Sequence, residues 1–196
     1  MIARRLLLAA IPALVALPAR ADASDAARDM VVRLGRQLTD VANGAGSLEE
    51  RRAAFERLID GAADVEAIAR FCLGRFWRTA TPEQQREYAG LFRTVLLRNI
   101  TGKAGEYKGV AMEVGKAQLR EDEIVVASVV SRPGNAPNKI DWIVTATGAP
   151  RLLDVVAEGT SLRLTQRADY AAFLSSHGNS IQALIDALKA QAAAPG

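Results

Sequence analysis

The sequence has 196 residues, of which 49% are hydrophobic and 24% are charged, and its formal net charge is +3. A domain of this length buries roughly 70% of its unfolded surface, which is enough for one packed core. Residues 1–21 hold three of the 25 basic residues and no acid, so without them 22 basic residues balance 22 acidic ones. This neutral remainder argues against a nucleic-acid-binding protein, which needs a basic face.

The N-terminus has the pattern of a secretory signal peptide. Arg4 and Arg5 precede an apolar run over residues 6–17, which is shorter than the ~20 residues that a membrane-spanning helix needs. Small residues then form two A-x-A cleavage sites. We expect cleavage after Ala21, or alternatively after Ala23, which leaves one exported domain of residues 22–196 in the periplasm.

Four helices are predicted in the first half of this domain. Apolar residues at helical spacing predict the first over 25–43, and the capping box "SLEE" from Ser47 opens the second. Asp64 caps a third, shorter helix that ends at Gly74. "TPEQ" from Thr81 combines an N-cap threonine, a proline at the first helical position and a glutamine at N3, so a long helix follows.

The second half changes from helical to alternating apolar spacing and back again. Residues 110–115, 123–132, 139–147 and 152–157 predict four strands, and their short connections favour an antiparallel meander. Two helices follow from Ser161, separated by "HGN", before a C-terminal tail that we expect to fray. The predicted fold class is α+β, a single domain with a four-stranded antiparallel twisted sheet packed against a layer of helices.

The sequence lacks the residue patterns of a catalytic or metal centre. His177 is the only histidine, and one histidine does not make a zinc site. Ser161 lies outside a G-x-S-x-G elbow. We interpret Asp154 as structural, held by an arginine or a backbone amide, and Cys72, the one cysteine, as a buried thiol. We therefore predict no enzyme activity, no cofactor and no metal.

Without a catalytic or metal-binding pattern, the function would have to come from the shape of the packed interior. Five of the ten aromatic residues fall between Phe71 and Phe92, where a helix, a turn and a second helix meet. A helical layer over a twisted sheet either fills its interior or leaves an apolar cavity that suits a hydrophobic ligand. Because periodicity is the same in both cases, a filled interaction domain stays the alternative to a ligand carrier.

Two stretches carry a resemblance to a known family. "DVEAIARFCLGRFWRTATPEQQREYAGLFRTVLLRNI" (64–100) resembles the signature of the MlaC family, the periplasmic lipid-binding proteins also called toluene-tolerance proteins. "LLDVVAEGTSLRLTQRADYAAFLSSHGNSIQALIDAL" (152–188) resembles the end of the same family. The likeness covers about residues 25–190, and the combination of motifs is more specific than either piece.

The resemblance implies a deep apolar cavity between sheet and helices. It also implies a carrier that binds phospholipid acyl chains and shuttles the lipid between the inner and outer membranes. The implied partners, both transient, are an inner-membrane ABC transporter with an MCE-type ring and an outer-membrane lipoprotein complex. Such a carrier needs no catalytic residue, which agrees with the absence of a catalytic pattern.

One segment departs from the phospholipid carriers. "LRLTQRADY" (162–170) is more similar to the HpnM-like branch, which is associated with hopanoid biosynthesis. The phospholipid branch tends to have an Asn-Tyr-Arg run where this chain has residues 164–167. A carrier of a pentacyclic triterpenoid is therefore the alternative to a phospholipid carrier.

The expected cavity lining consists of apolar residues on the inward faces of the predicted elements. These residues are Phe76, Trp77, Phe92, Leu96, Ile100, Ile124, Val126, Ile140, Trp142, Val144, Leu153, Val155, Tyr170 and Phe173. Arg75 and Arg78 flank the aromatic turn and are the expected contacts for a lipid headgroup.

Overall fold

The computed structural model describes residues 18–102 and 107–194, and most of the expected signal peptide lies outside these ranges. The helices are α1 (Pro18–Asn43), α2 (Leu48–Ala62), α3 (Val65–Leu73), α4 (Pro82–Thr101), α5 (Leu162–Ser176) and α6 (Ile181–Ala193), with a 3₁₀ turn (Gly74–Arg78) between α3 and α4. The strands are β1 (Ala111–Arg120), β2 (Glu123–Ser131), β3 (Asn138–Thr145), β4 (Leu152–Ala157) and β5 (Thr160–Ser161). Within the described ranges, no helix is long and apolar enough to span a bilayer.

The predicted helix starts are confirmed by their hydrogen bonds. Thr81 Oγ1 accepts from the Gln84 amide at 3.2 Å, and Gln84 Oε1 accepts from the Thr81 amide at 3.1 Å. The same reciprocal pair opens α2 at Ser47. Gly74 ends α3 with φ of 60°, a left-handed conformation that glycine adopts without steric cost.

The outer ends of the chain are more helical than the sequence pattern predicts. Helix α1 begins at Pro18 rather than at residue 25, because the intervening segment is rich in alanine, the best helix former. The tail that we expected to fray continues α6 as far as Ala193. Arg98 of α4 donates hydrogen bonds to the carbonyls of Ala192 and Ala194, which holds the last turn of α6 in place.

The sheet has five strands, not the predicted four, in the order β1-β2-β3-β4-β5, with every neighbouring pair antiparallel. The additional strand β5 has only two residues and pairs with the end of β4. Glu158 and Gly159 connect the two strands with φ of 49° and 81°. Two positive φ values in a two-residue loop are typical of a tight hairpin turn. The sequence signal for a strand is an apolar pattern over four to eight residues, so it does not detect a strand of two residues.

The apolar interior consists of two clusters. One lies among α3, α4, α5 and α6 and includes Tyr88, Phe92 and Leu174. The other lies between α1, α2 and one face of the sheet and includes Val31 and Trp142. Val65 and Ile68 of α3 pack against both clusters. The molecule is therefore a helical layer and a sheet layer that meet along α3.

Candidate functional site

A cavity of about 380 Å³ lies where the two apolar clusters meet, and it is partly open to solvent. Its wall is formed by α2, α3, α4, α5 and β4 and is mostly apolar. The apolar residues are Ile59, Ala63, Ile68, Cys72, Phe92, Leu96, Ile100, Leu152, Leu153, Val155 and Leu162. A volume of this size is within the range of pockets that bind small organic ligands.

Helix α4 supplies one wall through its spacing. Phe92, Leu96 and Ile100 recur every fourth residue and so lie on one face of the helix. Phe92 belongs both to this wall and to the helical cluster. Its ring contacts the Tyr88 and Tyr170 rings at centroid distances of 5.9 and 6.4 Å. The aromatic cluster therefore packs against one end of this wall.

Strand β4 supplies the opposite wall through an irregularity in its pairing. Ile143 of β3 pairs with Asp154, but the next residue, Val144, pairs with Leu152, so Leu153 is left over. A bulge of this kind changes the direction of side chains along the strand. Because of it, the consecutive residues 152–155 all line the cavity.

The rim of the cavity is polar on the side of α5. Thr165, Gln166 and Asp169 of α5 lie there together with Asn99 of α4, and Tyr107 also lines the cavity. Leu162 and Leu164, in the first turn of α5, are 51% and 57% exposed. This side therefore combines an apolar interior with polar and exposed apolar groups at the opening.

Asp154 lies at the cavity wall and is only 6% exposed. Its carboxylate accepts hydrogen bonds from the amides of Val155 and Arg163 at 2.8 and 2.9 Å and from Ser161 Oγ at 2.5 Å. Arg163 Nε also lies 3.6 Å from the carboxylate. Both partners that the sequence analysis expected, an arginine and backbone amides, are present. These hydrogen bonds connect β4, which carries the carboxylate, to the first turn of α5, so the role of Asp154 is structural.

Cys72 is a buried thiol beside the same carboxylate. Burial raises the pKa of the thiol to about 12, and the negative charge of Asp154 adds to the rise. Its Sγ lies 3.6 Å from the carbonyl oxygen of Arg163. The thiolate is the reactive form, and a raised pKa makes it rare at neutral pH. Cys72 therefore forms part of the cavity wall and is not a reactive thiol. No group of three His, Cys, Asp or Glu residues in the described ranges is arranged to hold a metal ion.

The structure divides the expected lining residues into three groups. Phe92, Leu96, Ile100, Leu153 and Val155 line the cavity. Ile124, Val126, Ile140, Trp142 and Val144 lie on the face of the sheet that α1 covers, in the second apolar cluster. Phe76, Trp77, Tyr170 and Phe173 belong to the helical cluster, where the Phe173 ring stacks on His177 at 3.9 Å.

Arg75 and Arg78 lie in a separate hollow of about 480 Å³ on a neighbouring face of α3. We call it the arginine hollow; it is lined by Ala67, Arg70, Phe71, Gly74, Arg75, Trp77, Arg78 and Arg167. A Cβ at Gly74 would lie 3.3 Å from the Arg167 guanidinium, so the glycine gives this arginine room. The two expected headgroup contacts therefore line this hollow and not the cavity.

Several cavity residues are missing from the sequence-based list. Ile59 and Ile68 lie on the second and third predicted helices, so a list that included the apolar residues of those helices would have contained them. Leu152 is adjacent to the bulge, which has no sequence signal. Of the polar rim residues of α5, Thr165 and Asp169 are exposed and Gln166 is half-buried, and no sequence pattern separates them from an ordinary helix surface.

A family model described as MlaC protein matches residues 29–190, which is most of the chain. The chain belongs to the MlaC family. The resemblance seen in the sequence is thereby confirmed at the level of the family, and the single α+β domain is the family's fold. The match spans α2 to α5 in full, and so includes all the helices and the strand that line the cavity.

The fold is also that of a phospholipid-binding protein from Ralstonia solanacearum, solved in complex with a phospholipid. The TM-score is 0.75 and the sequence identity is 23%, over 85% of this chain and 97% of the other. At this identity the likeness shows a shared fold.

Proposed function

We propose that this protein binds a membrane lipid and holds its acyl chains in the cavity between α4 and β4. The observation that carries the proposal is the combination of a mostly apolar wall, a partly open mouth and a polar rim on one side. A lipid is divided in the same way into an apolar and a polar part, because its acyl chains avoid water and its headgroup is hydrated. Each methylene group removed from water contributes about 0.8 kcal/mol, so even part of one chain supplies substantial affinity.

The proposal extends to a periplasmic carrier that shuttles lipid between the inner and outer membranes. Membership of the MlaC family supports it, as does the shared fold with a protein solved with a bound phospholipid. The signal-peptide pattern of residues 1–21 supports the periplasmic location. In this proposal an inner-membrane MCE/ABC transporter and an outer-membrane lipoprotein complex exchange lipid with the carrier.

A hopanoid carrier is the second candidate. The segment that resembles the HpnM-like branch contributes Thr165 and Gln166 directly to the rim of the cavity. Two of the four residues at which the branches differ thus line the cavity, which supports this candidate. A rigid pentacyclic body and a flexible acyl chain would fill the same wall differently, which makes the candidates separable by competition.

The decisive experiment is native mass spectrometry of the mature protein from Asp22, purified without detergent. Solvent extraction then identifies anything bound. A stoichiometric phospholipid supports the first candidate, and a triterpenoid taken from a hopanoid-making host supports the second. A protein that is empty and also takes up no added lipid of either kind would refute the carrier proposal and favour a filled interaction domain.

A further inference from the structure

We propose that the arginine hollow, together with the exposed first turn of α5 beside it, docks this protein on an anionic lipid surface. The inference rests on the proposed carrier function in one respect: a carrier that exchanges lipid with complexes in two membranes works next to membrane surfaces. The site itself is distinct from the cavity. Its lining includes Arg70, Arg75, Arg78 and Arg167 together with Phe71.

No carboxylate in the described ranges forms an ion pair with the arginines of the hollow. All four arginines are exposed, and none of them makes an ion pair within residues 18–102 and 107–194. The residues that line the hollow include no carboxylate. By contrast, Arg93 on α4 lies 2.6 Å from Asp60. Four neighbouring cations repel one another, and an anionic surface would relieve that repulsion.

Three of the four guanidinium groups lie over aromatic rings. The Arg167 guanidinium lies 4.9 Å from the centre of the Phe71 ring, and that of Arg75 lies 4.9 Å from the Phe76 ring. The Arg70 guanidinium lies 6.0 Å from the Trp77 ring. A guanidinium that contacts a ring and has no carboxylate partner still has N–H groups to donate, and these match the oxygens of a phosphate group.

Apolar side chains accompany the charges. Phe76 and Trp77 are partly exposed between Arg75 and Arg78 on the 3₁₀ turn. Leu164 is 57% exposed and lies three residues before Arg167, hence on the same side of α5. Arginine mixed with tryptophan and exposed leucine is typical of surfaces that enter the headgroup region of a bilayer. An acidic protein partner would account for the arginines but not for the exposed leucine.

The hollow adjoins the mouth of the cavity. Thr165 and Gln166 line the cavity rim, and Arg167, the next residue of α5, lines the hollow. On α3, Cys72 lines the cavity and Phe71 lines the hollow. Docking through the hollow would therefore place the rim of the cavity close to the lipid headgroups.

Vesicle flotation with the mature protein tests the proposal. One set of vesicles is neutral phosphatidylcholine, and in the other roughly a third of the lipid is phosphatidylglycerol. We expect binding to the anionic vesicles only, weakening as salt is raised because the contacts are solvent-exposed. Arg75→Ala with Arg78→Ala should weaken this binding about 25-fold, since each basic residue near the surface contributes a factor of about five.

The matched control removes two exposed arginines from α1. Arg33 and Arg36 likewise make no ion pair within the part of the chain that the structure describes, but they lie outside the hollow. Arg33→Ala with Arg36→Ala should leave vesicle binding within about two-fold of the original, as screening limits charges away from the contact. Equal losses in the two double variants would overturn the proposal, because net charge alone would then explain the binding.

Two further outcomes separate this inference from the carrier proposal. If the original protein ignores anionic vesicles but is retained on immobilised polyglutamate, the docking proposal is overturned and the arginines belong to an acidic protein contact. The copurified lipid is measured in every preparation. Arginine-dependent vesicle binding by a protein that takes up no lipid would support docking and refute the carrier function.

Discussion

The main-chain amide of Arg163 donates a 2.9 Å hydrogen bond to the carboxylate of Asp154, and the guanidinium of the same arginine lies 3.6 Å from that carboxylate. The arginine also reaches Glu123 of β2 at 2.8 Å. These contacts join the first turn of α5 to the sheet across the cavity wall. The opening of the cavity is therefore held by a buried polar junction and not by apolar contact alone.

The first prediction concerns the stability of this junction. Asp154→Ala would leave two amides and the Ser161 hydroxyl without their acceptor, so the free energy of unfolding should fall by about 3 kcal/mol. Chemical denaturation followed by circular dichroism measures the change. Asp141→Ala, on the neighbouring strand at a partly exposed position, is the control and should cost less than about 1 kcal/mol. Similar losses in the two variants would contradict the structural role of Asp154.

The second prediction concerns the volume of the cavity. Leu96 lies in the middle of the α4 wall, so Leu96→Trp should fill part of the 380 Å³ and reduce copurified lipid several-fold. Native mass spectrometry gives the occupancy, and circular dichroism checks the fold. Leu48→Trp adds the same ring at an exposed residue outside the cavity and should leave the occupancy unchanged. Full occupancy in Leu96→Trp would place the lipid elsewhere.

The third prediction is a loss of stability in mild alkali. Cys72 has a pKa of about 12 in the folded protein and about 8.5 when unfolded, so the native state keeps a proton that the unfolded state releases. Its contribution is complete below about pH 8.5 and is lost as the pH rises towards 12. Burial also raises the pKa of Tyr88 and Tyr170, which adds to the loss above about pH 10.

Denaturant midpoints between about pH 8 and pH 10 separate the thiol from the tyrosines, because free tyrosine titrates near 10. Cys72→Ala should be less stable overall, but its stability should decline less steeply with pH in this interval. An unchanged slope would mean that the thiol does not titrate differently in the two states.

The fourth prediction tests the start of α4. Thr81→Ala removes the acceptor for the Gln84 amide and should destabilise the protein by about 1 kcal/mol, or lower the melting temperature by about 2–4 °C. Thr94→Ala, at an exposed position inside the same helix, should be neutral or slightly stabilising because alanine favours helix. Calorimetry compares the two, and equal melting temperatures would contradict the capping role.

Much of the fold could be predicted because its signals are local. A capping box at Thr81 acts over three residues, and the left-handed turn at Gly74 depends on the glycine itself. Alternating apolar residues likewise identified the four longer strands. Strand β5 was not predicted because two residues are too few to show an alternating apolar pattern. The bulge at Leu153 was not predicted because it depends on how β3 pairs with β4.

The location of the cavity was decided by tertiary structure. Trp142 and Leu96 both lie on inward apolar faces, and the sequence by itself determined that much. In the folded chain, α1 covers the face of the sheet that carries Trp142, whereas Leu96 faces the space between α4 and β4. Periodicity reports which side of an element avoids water. Whether that side contacts other side chains or lines a cavity depends on where elements distant in the sequence pack, and only the tertiary structure shows this.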